Sequence, residues 1–305
     1  MESRHCGSVV ALHPDGSVAL SLGEPDVPVL PRSANKPLQA VGLLDAGWQP
    51  ADEQELALAA ASHSGEPAHL EVVRRLLGPL PVDALGCPAA LPLDEATAHA
   101  VLAAGGGPTR LTMNCSGKHA AMLATCRAAG WPTEGYRDAR HPLQVALLRT
   151  LERLAGEPVA AVTVDGCGAP QHALTLTGLA RAFSALVEAA PGTAERRTAD
   201  AARARPDLVG GTGRDVTLLM QAVPGLLAKD GAEGVYAAAL PGGGAVALKV
   251  DDGAARARVP VLVAGLRALG AGGDALQALT VLPVLGGGVP VGEVRLARVL
   301  QDAPA

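Results

Sequence analysis

The sequence predicts an α+β protein (α/β mixed) in which an antiparallel sheet packs against a layer of helices. Apolar and polar residues alternate in hairpin-like patterns towards both ends of the chain, while helical patterns dominate the stretch between them. Of the 305 residues, 49% are hydrophobic and 18% are charged, which supports a large buried core. No repeat and no low-complexity linker divides the chain, so one domain over residues 1–305 is expected.

The elements follow in order from these patterns. A hairpin is predicted from Ser8–Leu12 and Ser17–Leu22, and a helix follows Ser33 and ends near Gly47. The Ala-rich segment 53–61 fits a helix or a strand, and Val159–Val164 predicts a buried strand. Further helices are predicted at about 68–77, from the loop at 113 to about 129, and at 141–154, 174–190, 193–205, 216–223 and 259–269. A second hairpin is predicted from 235–240 and 245–250, with strands and turns beyond it.

The composition restricts the classes of function. The formal net charge is −5 without a basic run, so nucleic acid is not an expected partner. Two Trp, two Tyr and one Phe are too few for platforms that stack bases or sugars. No run of eighteen apolar residues and no signal-peptide pattern occurs, so no membrane partner is expected. The five Cys residues are scattered, which favours a reducing, cytoplasmic setting over a disulfide framework.

A short stretch at residues 31–39, PRSANKPLQ, carries the first candidate chemistry. Ser33 and Lys36 are three residues apart at a predicted helix start, so their side chains share one face. A lysine whose charge is suppressed by burial can take the proton of a serine hydroxyl. Ser33 is therefore a candidate nucleophile and Lys36 its base. The alternative is that Ser33 is an N-cap and Lys36 a solvated residue of the first turn.

Two loops between predicted elements add further candidates. Ser62-His63-Ser64 precedes a helix and could hold a second nucleophile or a proton relay, or simply capping hydroxyls. The Gly-rich segment 210–215 also precedes a helix and fits either a carboxylate-binding loop, helped by Arg214, or a simple turn. Lys229 is predicted to lie at a turn.

Cysteine and histidine spacing indicates a candidate metal site. Cys115 and His119 are four residues apart, as two ligands on one helical face would be, although a buried structural cysteine is the alternative. Asp165 and Cys167 follow the valine-rich strand, where polar residues at a strand end often carry function. An ordinary Asp-Gly turn is the alternative for this pair.

Taken together, these motifs resemble the rhizobial-type L-asparaginases, also called the asparaginase II family. The motifs that carry the resemblance are, in chain order, Arg32-Ser33-x-x-Lys36-Pro37, Ala61-Ser62-His63-Ser64, Asn114-Cys115-Ser116-Gly117-Lys118-His119, His141-Pro142, Asp165-Gly166-Cys167 and Lys229-x-Gly231-Ala232. The resemblance covers nearly the whole chain, and the segment 114–119 is its most specific part. It implies a fold similar to that of serine β-lactamases and serine-dependent glutaminases.

The resemblance also implies the roles of individual residues. It implies two Ser–Lys pairs, Ser33 with Lys36 and Ser62 with Lys229. It further implies a zinc site formed by Cys115, Lys118 and Cys167, with Asp165 close by, and no organic cofactor. Spacing alone would choose His119 over Lys118 as the zinc ligand. In addition, a lysine binds zinc only as the neutral amine. His119 therefore stays the alternative ligand.

The activity that the resemblance implies is hydrolysis of L-asparagine to L-aspartate and ammonia by a homodimer. Ser33 would attack the side-chain amide, and Arg32 could hold the substrate α-carboxylate by a bidentate ion pair, with Asp165 also at the substrate. Two other readings stay open. One is another S-x-x-K hydrolase, such as a glutaminase or a penicillin-recognising enzyme, and the other is a non-catalytic zinc-binding protein with the same fold.

Overall fold

A computed structural model describes residues 1–301 of the chain. The nine strands in this part are β1 (Gly7–Leu12), β2 (Val18–Leu22), β3 (Ala161–Val164), β4 (Pro170–Ala173), β5 (Leu227–Asp230), β6 (Val235–Ala239), β7 (Ala245–Val250), β8 (Leu282–Gly286) and β9 (Val289–Val294). Five of them form an antiparallel sheet in the order β2-β1-β7-β6-β5, while β3-β4 and β8-β9 are separate two-stranded sheets. The mixed fold with an antiparallel sheet is therefore confirmed.

The helices in the described part of the chain are α1 (Lys36–Asp45), α2 (Glu53–Ala59), α3 (Pro67–Leu77), α4 (Glu95–Ala103), α5 (Ser116–Ala128), α6 (Pro142–Ala155), α7 (Leu176–Glu188), α8 (Ala194–Ala204), α9 (Pro206–Val209), α10 (Asp215–Ala222), α11 (Arg258–Ala268), α12 (Asp274–Ala278) and α13 (Arg298–Gln301). Short 3-10 turns lie at Arg32–Asn35, Val82–Ala84 and Ala255–Ala257. No helix within residues 1–301 has the length and apolar character needed to cross a membrane.

The large sheet forms the centre of the core. Helices α7 and α11 both pack on β1, β6 and β7, and every residue of β6 is buried, so both faces of the sheet are covered. Helices α1, α2, α3, α5, α6 and α8 pack mainly on one another. The seam between this helical layer and strand β5 is where the candidate site lies, because β5 also packs against the 3-10 turn that precedes α1.

Most predicted elements are confirmed to within two residues, and both predicted hairpins form as β1–β2 and β6–β7. The ambiguous segment 53–61 is a helix, capped by Asp52, whose side chain accepts the amide hydrogen of Glu55. Pro37 lies in the first turn of α1, where its missing N–H costs nothing, and the preceding residues form the 3-10 turn instead of an α-helix.

Two predictions about strands are wrong. The valine-rich run 159–164 was expected to be a buried strand, yet all four residues of β3 are exposed because β3 pairs only with β4 outside the large sheet. Lys229 was expected at a turn, yet it lies inside strand β5, opposite Ala237 of β6. This second difference matters for function, because a strand fixes the position of the lysine side chain.

Close packing of α5 on α2 gives a test of this architecture. A Cβ added at Gly117 would lie 2.8 Å from the carbonyl oxygen of Leu58, so we expect Gly117→Ala to lower the free energy of unfolding by about 1–3 kcal/mol. Gly107→Ala is the matched control, since no atom lies within 4 Å of its added Cβ. Urea denaturation of both variants measures the difference, and equal stabilities would contradict the close approach of the two helices.

Candidate active site

The candidate site forms where five segments meet: the 3-10 turn with the start of α1, the end of α2, the start of α5, the loop after β3, and strand β5. Each supplies residues that the sequence motifs single out, and most of their polar side chains are buried. Three of the four lysines of the chain, Lys36, Lys118 and Lys229, are at most 2% exposed. Burying an amine needs compensating partners, so the contacts of these lysines define the site.

Lys36 lies at the centre of the site and is 0% exposed. Its Nζ donates hydrogen bonds to the carbonyl oxygen of Ala61 at 2.5 Å, to Ser62 Oγ at 3.0 Å and to Cys115 Sγ at 3.2 Å. Three acceptors match the three N–H donors of an ammonium group. The lysine thereby joins α1, the end of α2 and the start of α5 at one atom.

The structure brings Lys36 together with Ser62, whereas the sequence resemblance paired it with Ser33. Ser33 is half-buried, and its hydroxyl makes no hydrogen bond to any residue in the range 1–301. Ser62 is 3% exposed. The site therefore holds one buried serine bound to a lysine and one more accessible serine on the same turn as that lysine.

Lys229 is the second lysine of the expected pairs, and its partner is an acid. Its Nζ donates to Asp230 Oδ1 at 2.5 Å and to the carbonyl oxygen of Asp230 at 2.8 Å. Burial lowers the pKa of Lys229 to about 8, against the opposing effect of the Asp230 charge. Arg214 binds the other carboxylate oxygen of Asp230 at 2.7 Å and also reaches the carbonyl oxygen of Ser62 at 3.4 Å.

Arg32 and Asp165, the expected substrate-binding residues, form an ion pair. Arg32 Nε donates to Asp165 Oδ1 at 2.7 Å, and Arg32 Nη1 lies 4.0 Å from Glu233. Arg32 has a backbone φ of 51°, a left-handed conformation that is costly for a residue with a side chain. With this backbone conformation, the Arg32 guanidinium reaches Asp165 in the loop after β3. The next residue, Ser33, lies in the first part of the 3-10 turn.

The expected zinc ligands lie together. Lys118 Nζ donates to Cys167 Sγ at 3.1 Å, and Cys167 Sγ lies 3.4 Å from Asp165 Oδ2. A hydrogen bond from Cys115, helped by the charge of Lys118, lowers the pKa of Cys167 despite its burial, while the pKa of Cys115 is raised by the same hydrogen bond and by burial. These opposite shifts favour a thiolate at Cys167 and a thiol at Cys115, beside the amine of Lys118.

This set fits zinc in its donor chemistry. Two sulfurs and one nitrogen are donors that zinc prefers, and all three side chains are buried. Burial opposes the charge of Lys118, but the thiols of Cys167 and Cys115 raise the pKa of the lysine, so binding a metal would release its proton.

His119, the alternative ligand, has a different environment. Its Nδ1 lies 2.5 Å from the hydroxyl of Tyr136, and its Nε2 is buried without a hydrogen-bond partner in the described part of the chain. Within residues 1–301, no three side chains of the types His, Cys, Asp and Glu are grouped to hold a metal. Burial lowers the pKa of His119 and the neighbouring Cys167 opposes that effect, so His119 stays the alternative ligand.

Several site residues escaped the sequence reasoning. Asp230, next to Lys229, carried no signal beyond its charge, and Tyr136 beside His119 carried none. His63 of the Ser-His-Ser loop has a structural part instead of a relay: its Nε2 contacts Ser116 Oγ at 2.9 Å and its Nδ1 accepts the amide hydrogen of Gly65. Burial keeps the pKa of His63 well below its usual value, so the ring is neutral.

The Gly-rich loop at 210–215 does bind a carboxylate, but one of the protein's own. The backbone N–H and the hydroxyl of Thr212 each donate to the Glu66 carboxylate at 2.8 Å. Arg214 at the end of this loop contacts Asp230. The loop therefore fastens the Ser-His-Ser segment to strand β5.

A buried cluster of serines and lysines, held between an antiparallel sheet and helices, is the kind of site that nucleophilic hydrolases use. The chain belongs to the L-asparaginase II family, whose model matches residues 1–296. No curated protein matches the sequence.

Among solved structures, the chain is distantly similar in fold to two of a protein called Mglu. The structure of its native form shows 16% identity and a TM-score of 0.44, covering 81% of this chain and 59% of that chain. The structure in 4.3 M NaCl shows 15% identity and a TM-score of 0.45, covering 81% and 56%. This chain therefore spans less than two thirds of the length of either structure.

Zinc binding by the two cysteines is tested by changing the third ligand. We expect Lys118→Met to weaken zinc binding by roughly a hundredfold or more, because it removes a ligand, and His119→Gln to weaken it by about tenfold or less. Competition with a chromophoric chelator measures the affinity. Loss of zinc in His119→Gln with retention in Lys118→Met would make His119 the ligand, and no binding by the unaltered protein would rule out the site.

Proposed function

We propose that this protein is an amidohydrolase that converts L-asparagine and water to L-aspartate and ammonia by a serine–lysine mechanism. Membership of the L-asparaginase II family supports the substrate. The observation that carries the mechanism is Lys36, wholly buried, with its Nζ on Ser62 Oγ and one helical turn from Ser33. The proposed catalytic unit is a single domain that spans the chain.

Ser33 is the proposed nucleophile because its hydroxyl is the more accessible of the two and is free within the described residues. Its oxygen attacks the side-chain amide carbon of asparagine, and the negative charge that develops on the amide oxygen is held by N–H donors. The C–N bond then breaks, ammonia leaves with the proton taken from the serine, and an aspartyl ester remains. Water hydrolyses the ester, which releases aspartate and restores the serine.

In this route the proton of Ser33 passes by way of Ser62 to the neutral amine of Lys229, while the charged Lys36 holds Ser62 in place by a hydrogen bond. Lys36 binds Ser62 and shares the turn of Ser33, while the strand that carries Lys229 packs against that turn. A general base works best when its pKa lies near the working pH. The pKa of Lys229, about 8, meets this condition, since both its neutral and its charged forms are populated near neutral pH.

The pair of Arg32 and Asp165 supports recognition of an amino acid. One nitrogen of Arg32 binds Asp165, and the Arg32 side chain is 25% exposed. A guanidinium binds a carboxylate through two parallel hydrogen bonds, so Arg32 would hold the substrate α-carboxylate. Asp165 would fix Arg32 in place and offer a negative charge to the α-amino group.

Zinc is proposed as a ligand of Cys115, Lys118 and Cys167. When bound, it would supply positive charge beside Lys36 and Asp165 and so modulate substrate binding. The protein groups act independently of it in the steps above. Cys115 and Cys167 hold the site together in either case, because each thiol is bound to a lysine.

A reducing, cytoplasmic setting and a homodimer complete the proposal. All five cysteines are free and four are buried, which is consistent with a reducing compartment. Exposed valines on two small sheets, at 72% for Val164 and 68% for Val291, supply apolar surface for a second copy. Light scattering gives the oligomeric state, and a monomer at micromolar concentration would rule out the dimer.

Activity is tested by ammonia release from L-asparagine and from L-glutamine. We expect release from asparagine, and we expect Ser33→Ala to lower kcat/KM on the order of 10⁴-fold, because the nucleophile is removed. Mass spectrometry of a quenched reaction should show the aspartyl ester on the peptide that contains Ser33. An ester on the peptide of Ser62 would exchange the roles of the two serines.

Two further outcomes would contradict the assignment. Full activity of Ser33→Ala would remove it as the nucleophile. Release from glutamine alone, or acylation by a fluorogenic penicillin, would favour the other S-x-x-K hydrolases. No amide hydrolysis at all, with and without zinc, would leave a non-catalytic binding protein as the better explanation.

The pH dependence follows from Lys229. The neutral amine is the base, and it is lost as the pH falls below the pKa of about 8. We therefore expect kcat/KM for asparagine to rise with pH through about 8 and then to level off. A profile that is flat between pH 6 and 9, over which the fold is stable by circular dichroism, would exclude Lys229 as the base.

A further inference from the structure

Lys229 and Lys36 are both wholly buried, yet they are held differently. Nζ of Lys36 has three acceptors, whereas Nζ of Lys229 has two, the side-chain and backbone oxygens of Asp230. Within residues 1–301, Lys229 Nζ makes no third hydrogen bond. The contacts of the two lysines therefore suit different protonation states.

The hydrogen-bond inventory of a lysine distinguishes the states. An ammonium group has three N–H donors, while a neutral amine has two donors and one lone pair. Asp230 satisfies both donors of a neutral Lys229, which leaves the lone pair unengaged. A charged Lys229 would keep one buried N–H without a partner, and such a donor costs about 1–3 kcal/mol.

The charges around Lys229 also balance without its proton. Asp230 accepts from Arg214 at 2.7 Å and lies 3.9 Å from Arg258, and Arg258 binds Asp215 at 3.2 Å. Two arginines, which stay charged, thus face two carboxylates. A proton on Lys229 adds one uncompensated positive charge to this buried cluster, with Lys36 also nearby.

We propose that Asp230 is a positioning residue: its carboxylate and its carbonyl oxygen bind the two donors of the neutral Lys229 amine and leave the lone pair of that form free to take the proton of a serine. This deepens the proposed function, on which the catalytic part of the claim rests. Arg214 and Arg258 hold the Asp230 carboxylate in place. Lys36, with all three donors engaged, acts as the fixed positive charge.

The Asp230 carboxylate has an electrostatic effect as well. The groups that face Lys229 are Asp230 itself, Arg214 and Arg258 with Asp215 behind them, Lys36, and the buried hydroxyl of Tyr236. Among these, the negative charge of Asp230 favours the ammonium form and opposes the effect of burial. Asp230 therefore prevents the base from becoming too weak to take a proton from serine.

The test measures the titration of Lys229 directly. Because the chain has only four lysines, labelling them with ¹⁵N at Nζ and ¹³C at Cε gives four sets of NMR signals, and Lys229→Gln identifies one of them. In the unaltered protein we expect Lys229 to titrate near 8. In Asp230→Asn, which removes the charge, we expect this value to fall by about one unit or more.

The matched control is Asp215→Asn. Asp215 belongs to the same charge cluster but contacts Arg258 and not Lys229. Loss of its charge should shift the titration of Lys229 by clearly less than the loss of Asp230. Equal shifts of the Lys229 titration in the two variants would mean that Asp230 acts only through its charge, as Asp215 does. That result would overturn the positioning role.

Kinetics add a second readout. In Asp230→Asn, kcat for asparagine should fall at least tenfold while KM changes little, and the acid limb of the profile should move down with the NMR titration. Asp230→Glu keeps the charge but displaces the carboxylate, so it should lower kcat without lowering the titration point. An acid limb that does not move in Asp230→Asn would overturn the proposal.

If the variants fail to fold, the titration of Lys229 in the unaltered protein still tests the proposal. Titration of Lys229 at the usual lysine value of about 10.4 would leave almost no neutral amine near pH 8 and would overturn the proposal. The NMR titration needs no substrate. A Lys229 titration near 8 that responds to Asp230, in a protein without amide hydrolysis, would therefore contradict only the proposed function.

Discussion

Burial of the Lys36 ammonium is the constraint on which the rest of the site depends. A charge taken out of water costs several kcal/mol unless it is fully bonded, and here the bonds come from three separate elements. The start of α1, the end of α2 and the start of α5 can therefore move little relative to one another. The same contacts position Ser62 and Cys115. The proposed catalytic serine and the proposed metal ligand are therefore both held by Lys36.

The buried charges form a connected series. Lys36 donates to Cys115, a hydrogen bond from Cys115 lowers the pKa of Cys167, and Cys167 lies beside both Lys118 and Asp165, which binds Arg32. On the other side of Ser62, Arg214 leads to Asp230 and Lys229. A change of charge at one end, through substrate or metal, is felt at the other because little water screens the path.

Periodicity predicted most of the longer helices and both hairpins but missed α4, α9, α12 and α13, and the motifs marked the segments that meet at the site. The partners within the site could not be predicted, because spacing along the chain reports only neighbours on one element. Ser33 and Lys36 do lie within one helical turn, yet Lys36 forms its hydrogen bond with Ser62 in another element. The exposed strand β3 was misjudged because a valine run looks alike in a core and on a surface patch. The left-handed Arg32 left no trace in the sequence.

The distribution of amino groups has a practical consequence. Cationic side chains on the surface are almost all arginines, and the fourth lysine, Lys249, has its Nζ bound to two backbone carbonyl oxygens. Reagents that acylate amines in water would thus find little to react with besides the N-terminus and Lys249. A small amine-directed electrophile that mimics an amino acid and enters the site would react best with Lys229, the lysine with the lowered pKa. Such a compound would label the protein selectively, and coupling to a solid support through lysine would be inefficient.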